Sequence, residues 1–238
     1  MRSIALACSQ LVTLTIKEDE MTKVLMLLAN GVEPLEMAAF TDVLGWASLV
    51  GDEKIELLDV ALHEEIKTTF GLTLKPTRLL NTIDLDDFDA LVIPGGFEPS
   101  GFYDDAMSDD FLDVIQHFNQ AKKIIASVCV SSLALGAAGI LRDKHATTYH
   151  QIGGKRKQQL IETGAIFVDR PIVCDGHCIT SSGPGTAVEV AFALLERLTT
   201  KANADDLRIR MRVPTPSKEW YETPQVQHVN DTASLTLR

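Results

Sequence analysis

The chain has 238 residues, 45% hydrophobic and 23% charged, with a formal net charge of −11. That composition describes one globular domain of ordinary to large size with enough apolar material for its own core. The acidic balance argues against nucleic acid and anionic membrane surfaces as partners, and four cysteines (Cys8, Cys129, Cys174, Cys178) do not make a secreted disulfide scaffold in a chain of this size.

Residues 1–20 carry a weak apolar patch without a clear signal-peptide core or cleavage site. Met21 followed directly by an apolar run reads as a natural start, so 1–20 is expected to be an extension and 21–200 the domain. No apolar run approaches the ~18–20 residues of a membrane span, so a cytoplasmic, reducing setting is expected.

Lys23–Leu28 reads as a first buried strand. A turn follows, and Pro34 suits the first position of a helix that continues over Leu35–Leu49. Ile55–Val60 is a second strand, Thr68–Leu74 a small hairpin or edge strand, and Ala90–Ile93 a short buried strand running into Pro94-Gly95-Gly96. Ser108 caps an amphipathic helix to Gln120. Ile124–Val128 is a strand, and Ser131–Ala138 a helix rich in small residues. His145–Thr148, Gly154–Glu162 and Phe167–Asp169 read as strand, helix and strand. Ile172–Cys174 and Cys178–Ser181 flank Asp175-Gly176, a two-residue hairpin signal. Gly185–Leu198 is the last long helix, and residues 201–238 lose the rhythm, with Trp220 and Tyr221 expected to dock part of the tail. Strands alternating with helices predict an α/β fold, a mainly parallel sheet covered on both faces.

The chemistry concentrates at Cys129. It stands at the break between strand and helix, where unpaired N–H groups and the helix dipole favour negative charge, so a partly ionised, nucleophilic thiol is expected. Ligands bind beyond the carboxyl ends of the strands in such sheets. Glu36, one turn into the first helix, is at that end and is the candidate proton-handling acid, with a raised pKa; the competing account is a solvated helix glutamate. The N–H groups of Gly95, Gly96 and Val130 are candidate oxyanion donors. His150, or its neighbour Tyr149, is the candidate proton-transfer partner, against a surface or structural histidine. Cys174-Asp-Gly-His177-Cys178 invites a metal reading, but the hairpin register turns the two thiols to opposite faces. No metal or cofactor is expected, and the acidic runs lack metal-loop spacing.

The ordered segments VLMLLANGVEPLEM, ALVIPGG, IIASVCVSSLALGAAGIL, ATTYH and ITSSGPGTAVEVAFALLE resemble the ThiJ/PfpI superfamily, the Parkinson-associated deglycase group. The resemblance spans about residues 22–198. It implies a flavodoxin-like three-layer α/β/α sandwich of the class I glutamine amidotransferase-like type, usually a homodimer. It places the reactive cysteine on Cys129, its acidic partner on Glu36, and the oxyanion donors on Gly95, Gly96 and Val130. Val130 stands where protease-like members carry histidine, which disfavours a Cys-His peptidase. Val130-Ser131 and Glu36 also differ from the Thr-Gly and Asp of isonitrile hydratases, and Tyr149 stands where deglycase-like members have histidine. The expected function is a cysteine-dependent enzyme acting on a small electrophile, glyoxalase/deglycase-like, hydratase-like or amidase-like. The alternatives are a redox sensor or chaperone-like stress protein using the same cysteine, and a binding module with an inert thiol.

Overall fold

The computed structural model describes residues 21–225, so the expected N-terminal extension lies outside the described residues. The strands, in chain order, are β1 Thr22–Leu28, β2 Ile55–Ala61, β3 Ile66–Lys67, β4 Thr73–Leu74, β5 Arg78–Leu79, β6 Ala90–Ile93, β7 Ile124–Ser127, β8 His145–Ala146, β9 Ile166–Phe167, β10 Ile172–Asp175 and β11 Cys178–Ser181. The helices are α1 Pro34–Val50, α2 Phe102–Ala106, α3 Asp109–Gln120, α4 Ser132–Ala137, α5 Arg156–Glu162, α6 Ala187–Leu198, α7 Lys201–Arg210 and α8 Lys218–Glu222.

Seven strands form the main sheet in the order β10-β11-β7-β6-β1-β2-β5. Every pair is parallel except β10 with β11. Val24–Leu28 and all of β6 are buried, as expected of strands covered on both faces, whose apolar residues run on without alternation. Helices α1 and α6 pack together on one face, with α7 against both, while α3 packs on β6 and β7 from the other. This is the mainly parallel, two-sided sheet that the alternation predicted, in the flavodoxin-like sandwich that the family resemblance implied.

Local chemistry explains most boundaries. Pro34 opens α1, where its missing N–H costs nothing. Ser108 caps α3 by accepting from the Phe111 N–H at 3.4 Å. Strand β8 is shorter than the expected His145–Thr148, because the Thr147 N–H donates to the Thr180 hydroxyl (3.0 Å) instead of a backbone carbonyl. Lys201–Arg210 is a helix that the tail's weak pattern concealed: its buried side includes the polar Asn203 and Arg208.

The β10–β11 hairpin turns one residue later than expected. Asp175 pairs with Cys178, so Gly176 and His177 form the turn. Gly176, at the first central position, takes φ +58°, the left-handed region that suits glycine in a Gly-X hairpin turn. Cys174 and Cys178 still face opposite sides, one exposed and one buried.

Candidate active site

Three strand exits converge at the carboxyl edge of the sheet: those of β1, β6 and β7, mutually adjacent in the order β7-β6-β1. At the exit of β7 the chain breaks into a single 3-10 turn, Cys129–Ser131, before α4. Cys129 has φ +59°, a left-handed conformation that a non-glycine side chain adopts at a cost of about 1–2 kcal/mol. The surroundings over-determine it. The Val128 N–H donates to Ser131 Oγ at 3.0 Å, and that hydroxyl lies 2.7 Å from Val128 O and 2.8 Å from Ile93 O. The Cys129 carbonyl accepts from the Ser132 hydroxyl (3.1 Å), the Thr148 hydroxyl (3.2 Å) and the Tyr149 N–H (3.4 Å). The backbone kink is therefore held from both sides, and the side chain is turned toward the sheet edge.

Cys129 lies on a cavity of about 290 Å³, among Glu33, Glu36, Gly96, Val130, Tyr149 and Arg156. Phe70, Phe97 and Pro184 give the cavity an apolar mouth. Glu36 is fully buried, not a solvated helix residue. Its Oε2 accepts the Gly95 N–H at 2.6 Å, while Oε1 is buried without a well-formed hydrogen bond. Burial pushes the Glu36 carboxyl up to about 8, against the lowering effect of the Gly95 N–H and the Cys129 side chain.

The thiol differs from expectation. Burial first, then the adjacent Glu36, push Cys129 well above its ordinary value, and the Val130 N–H directed at it lowers it only in part. One helical turn's worth of N–H groups does not outweigh the loss of water around the sulfur. The resting pair at neutral pH is a thiol beside a carboxylic acid, not a thiolate.

Residues 22–197 match the model of the DJ-1/PfpI family. The chain belongs to that family. DJ-1beta of Drosophila melanogaster is 30% identical over 185 residues, 77% of this chain and 92% of its own length. The crystal structure of that relative superposes with a TM-score of 0.71 at 29% identity, covering 82% of this chain and all of the other. An isonitrile hydratase of Pseudomonas putida is 32% identical over 194 residues, 80% of this chain and 78% of its own. A deglycase of Pyrococcus abyssi is 30% identical over 115 residues, 48% of this chain and 65% of its own.

In this DJ-1/PfpI domain the glycines divide their work. The Gly95 N–H is engaged by Glu36, so it holds the acid and is not offered to a substrate, a correction to its expected role. A side chain there has no space: a Cβ would stand 2.7 Å from Val128 O and 3.0 Å from both Cys129 Cβ and Glu36 Oε2. Gly95→Ala is expected to destabilise by about 1–3 kcal/mol through this overpacking and to lower activity with it, checked by urea denaturation and rate on one preparation. Gly96 lines the cavity, and the bonds of its neighbours, Glu33 N–H to Gly95 O (2.8 Å) and Phe97 N–H to Gly31 O (3.0 Å), clamp it against the β1 exit.

His150 is not at the site. Its Nδ1 is 2.9 Å from Thr148 O, its Nε2 is 3.1 Å from Asp169, and its ring packs edge-on against Phe167. The Thr148 carbonyl turns the ring away from the cavity, so it is a structural histidine. Tyr149 takes the place on the cavity wall. Arg156, which local sequence did not mark, also lines it: the side chain comes from α5, far along the chain, and no neighbouring motif announces it. Among the described residues no cluster of His, Cys, Asp and Glu has the makings of a metal site.

The Glu36 shift carries a stability consequence. Its folded-state pKa of about 8 lies above the ordinary 4.5, so between these values the unfolded chain has lost a proton that the folded chain keeps. Stability contributed by Glu36 therefore falls as pH rises through that window. Glu36→Gln keeps an oxygen for the Gly95 N–H and removes the penalty. The variant is expected to gain on the parent from about pH 5 to about pH 8, by up to about 4–5 kcal/mol. Urea midpoints at the two ends test this, and a gap that stays constant would refute it.

Proposed function

We propose that this DJ-1/PfpI protein is a cysteine-dependent enzyme that hydrates, hydrolyses or rearranges a small electrophile. The observation that carries the reading is the contact of a buried carboxyl group, poised near pH 8, with a cysteine held in a strained turn on the floor of a concave pocket. In the fraction of molecules whose Glu36 carboxyl has ionised, the Cys129 sulfur attacks a polarised carbon while its proton passes to that carboxylate; the C–S bond forms and the electron pair of the carbon–heteroatom bond moves to the heteroatom. The Gly96 N–H and the Val130 N–H stabilise the charge that develops there, and Glu36 returns its proton to that atom or to the leaving group. A general base poised near the working pH is the effective kind. Relatives named isonitrile hydratase and deglycase support a reaction at an electrophilic carbon.

The pH profile tests the role of Glu36. The rate is expected to rise with an apparent pKa of about 8, and Glu36→Gln is expected to lose that limb together with most of the activity. A limb that persists in the variant would remove Glu36 from the mechanism. A non-enzymatic redox sensor needs a readily ionised thiol, since oxidation follows thiolate character. Burial moves Cys129 the other way, which favours the enzyme.

The same reading includes a homodimer and a cytoplasmic setting. Exposed Leu35, Trp46 and Leu49 on α1, with Phe70 and Leu72 of the β3–β4 hairpin, support the first, and the free thiols of Cys129, Cys174 and Cys178 the second. Among the described residues no helix is long and apolar enough to cross a membrane.

A further inference from the structure

Of the side chains lining the Cys129 cavity, Arg156 is the one cation among the described residues. It is a prepared group. Its guanidinium stacks on the Tyr103 ring at 4.7 Å, its Nη1 donates to Gln159 at 2.9 Å, and its Nη2 pairs with Glu98. Its side chain is only 16% exposed, against 47% for that of Glu98. Two of its five N–H donors are thus assigned, and the rest remain for another acceptor.

We propose that Arg156 is a specificity-determining residue that selects electrophiles carrying a carboxylate, an inference that rests on Cys129 being the reactive thiol. The planar fork of a guanidinium matches a carboxylate in two parallel bonds. Three features of the wall favour an anionic guest. Glu98, the resident partner, also holds Lys155 at 3.1 Å, so it keeps a counter-ion when Arg156 turns to a substrate. The Tyr103 ring, on the side of the second cavity, backs the guanidinium at 4.7 Å and holds its plane for a guest. The nearer acids are each held by a hydrogen bond, Glu36 Oε2 by the Gly95 N–H at 2.6 Å and Glu33 by Thr69. The Arg156–Glu98 pair also separates this cavity from a second of about 280 Å³, lined by Tyr103, Met107, Leu133 and Thr163. The cation therefore stands at a boundary of the reactive pocket.

Two alkylating agents of equal size separate charge from reactivity: iodoacetate, with a carboxylate, and iodoacetamide, neutral. In both, the Cys129 sulfur forms a C–S bond as the C–I bond breaks, iodide leaves, and the thiol proton goes to water. Peptide mass mapping reads the rate at Cys129, with the exposed Cys174 as reference in the same tube. Arg156→Gln is expected to lower the iodoacetate-to-iodoacetamide rate ratio at Cys129 by about ten-fold, with the iodoacetamide rate held within about two-fold and the ratio at Cys174 unchanged. Glu98→Gln, which frees the guanidinium, is expected to raise the ratio. If iodoacetamide labels Cys129 and neither variant moves the ratio, Arg156 does not select carboxylates and the proposed enzyme stands without it. If neither reagent labels Cys129 in the parent protein, the reactive thiol and this inference fall together.

Discussion

Cys129→Ser is expected to lower turnover at least about a thousand-fold on whichever electrophile the parent protein consumes, because a hydroxyl in the same place is a far weaker nucleophile. The structure makes this a clean substitution. The two side chains are nearly the same size, and the locks on the turn are made by backbone atoms and by Ser131, Ser132 and Thr148, not by the sulfur. Stability at pH 7 is therefore expected to change by less than about 1 kcal/mol. The comparison should cover oxoaldehydes, isonitriles and amides, with parent and variant run in parallel. Parent-like rates in purified Cys129→Ser protein, with its melting curve unchanged, would end the proposed mechanism. A second variant, Cys129→Ala, guards against weak hydroxyl nucleophilicity.

Arg208→Ala is expected to cost about 3–5 kcal/mol, the penalty for leaving a buried charge without its partner. Arg208 and Glu189 are 7% and 8% exposed. Their two bonds are each 2.7 Å, parallel and bidentate. The guanidinium also stacks on Phe192 at 4.1 Å and donates to Pro214 O at 3.0 Å. The Tyr221 hydroxyl donates to the same carboxylate at 3.1 Å, and burial together with the Glu189 charge pushes that phenol up to about 12. This knot fastens α7 and α8 onto α6. Beyond it, Gln225 reaches Asp169 through its N–H (2.7 Å) and the Ser182 hydroxyl through its side chain (3.1 Å). Denaturant unfolding measures the loss, and Glu189→Leu combined with Arg208→Met is expected to recover much of it, since apolar packing can replace a buried ion pair. Equal stability of Arg208→Ala and parent would show that the tail adds nothing to the fold.

The sheet was legible because its strands are buried on both faces. Runs such as Lys23–Leu28 and Ala90–Ile93 then need no alternation to be read as strands, and their exits fall where the next helix pattern starts. Cys129 and Glu36 were visible for a related reason: each stands just past a strand, at the sheet edge where ligands bind. Their protonation was not visible. It depends on how completely the loops after β1 and β6 close over the sulfur, a three-dimensional property with no local signature. His150 failed as a candidate because one hydrogen bond to a carbonyl two residues back decides which way its ring points. Arg156 went unseen because only the fold brings α5 to the cavity. The hairpin register shows a subtler limit: Asp-Gly is read with glycine second in the turn, yet Gly176 takes the first position.

The left-handed backbone at residue 129 bears on how such a protein would age in evolution. Glycine adopts that conformation freely, so a lineage freed from the need for sulfur chemistry would gain stability by placing glycine there. Relatives without sulfur chemistry are then expected to carry glycine at this position more often than serine or alanine.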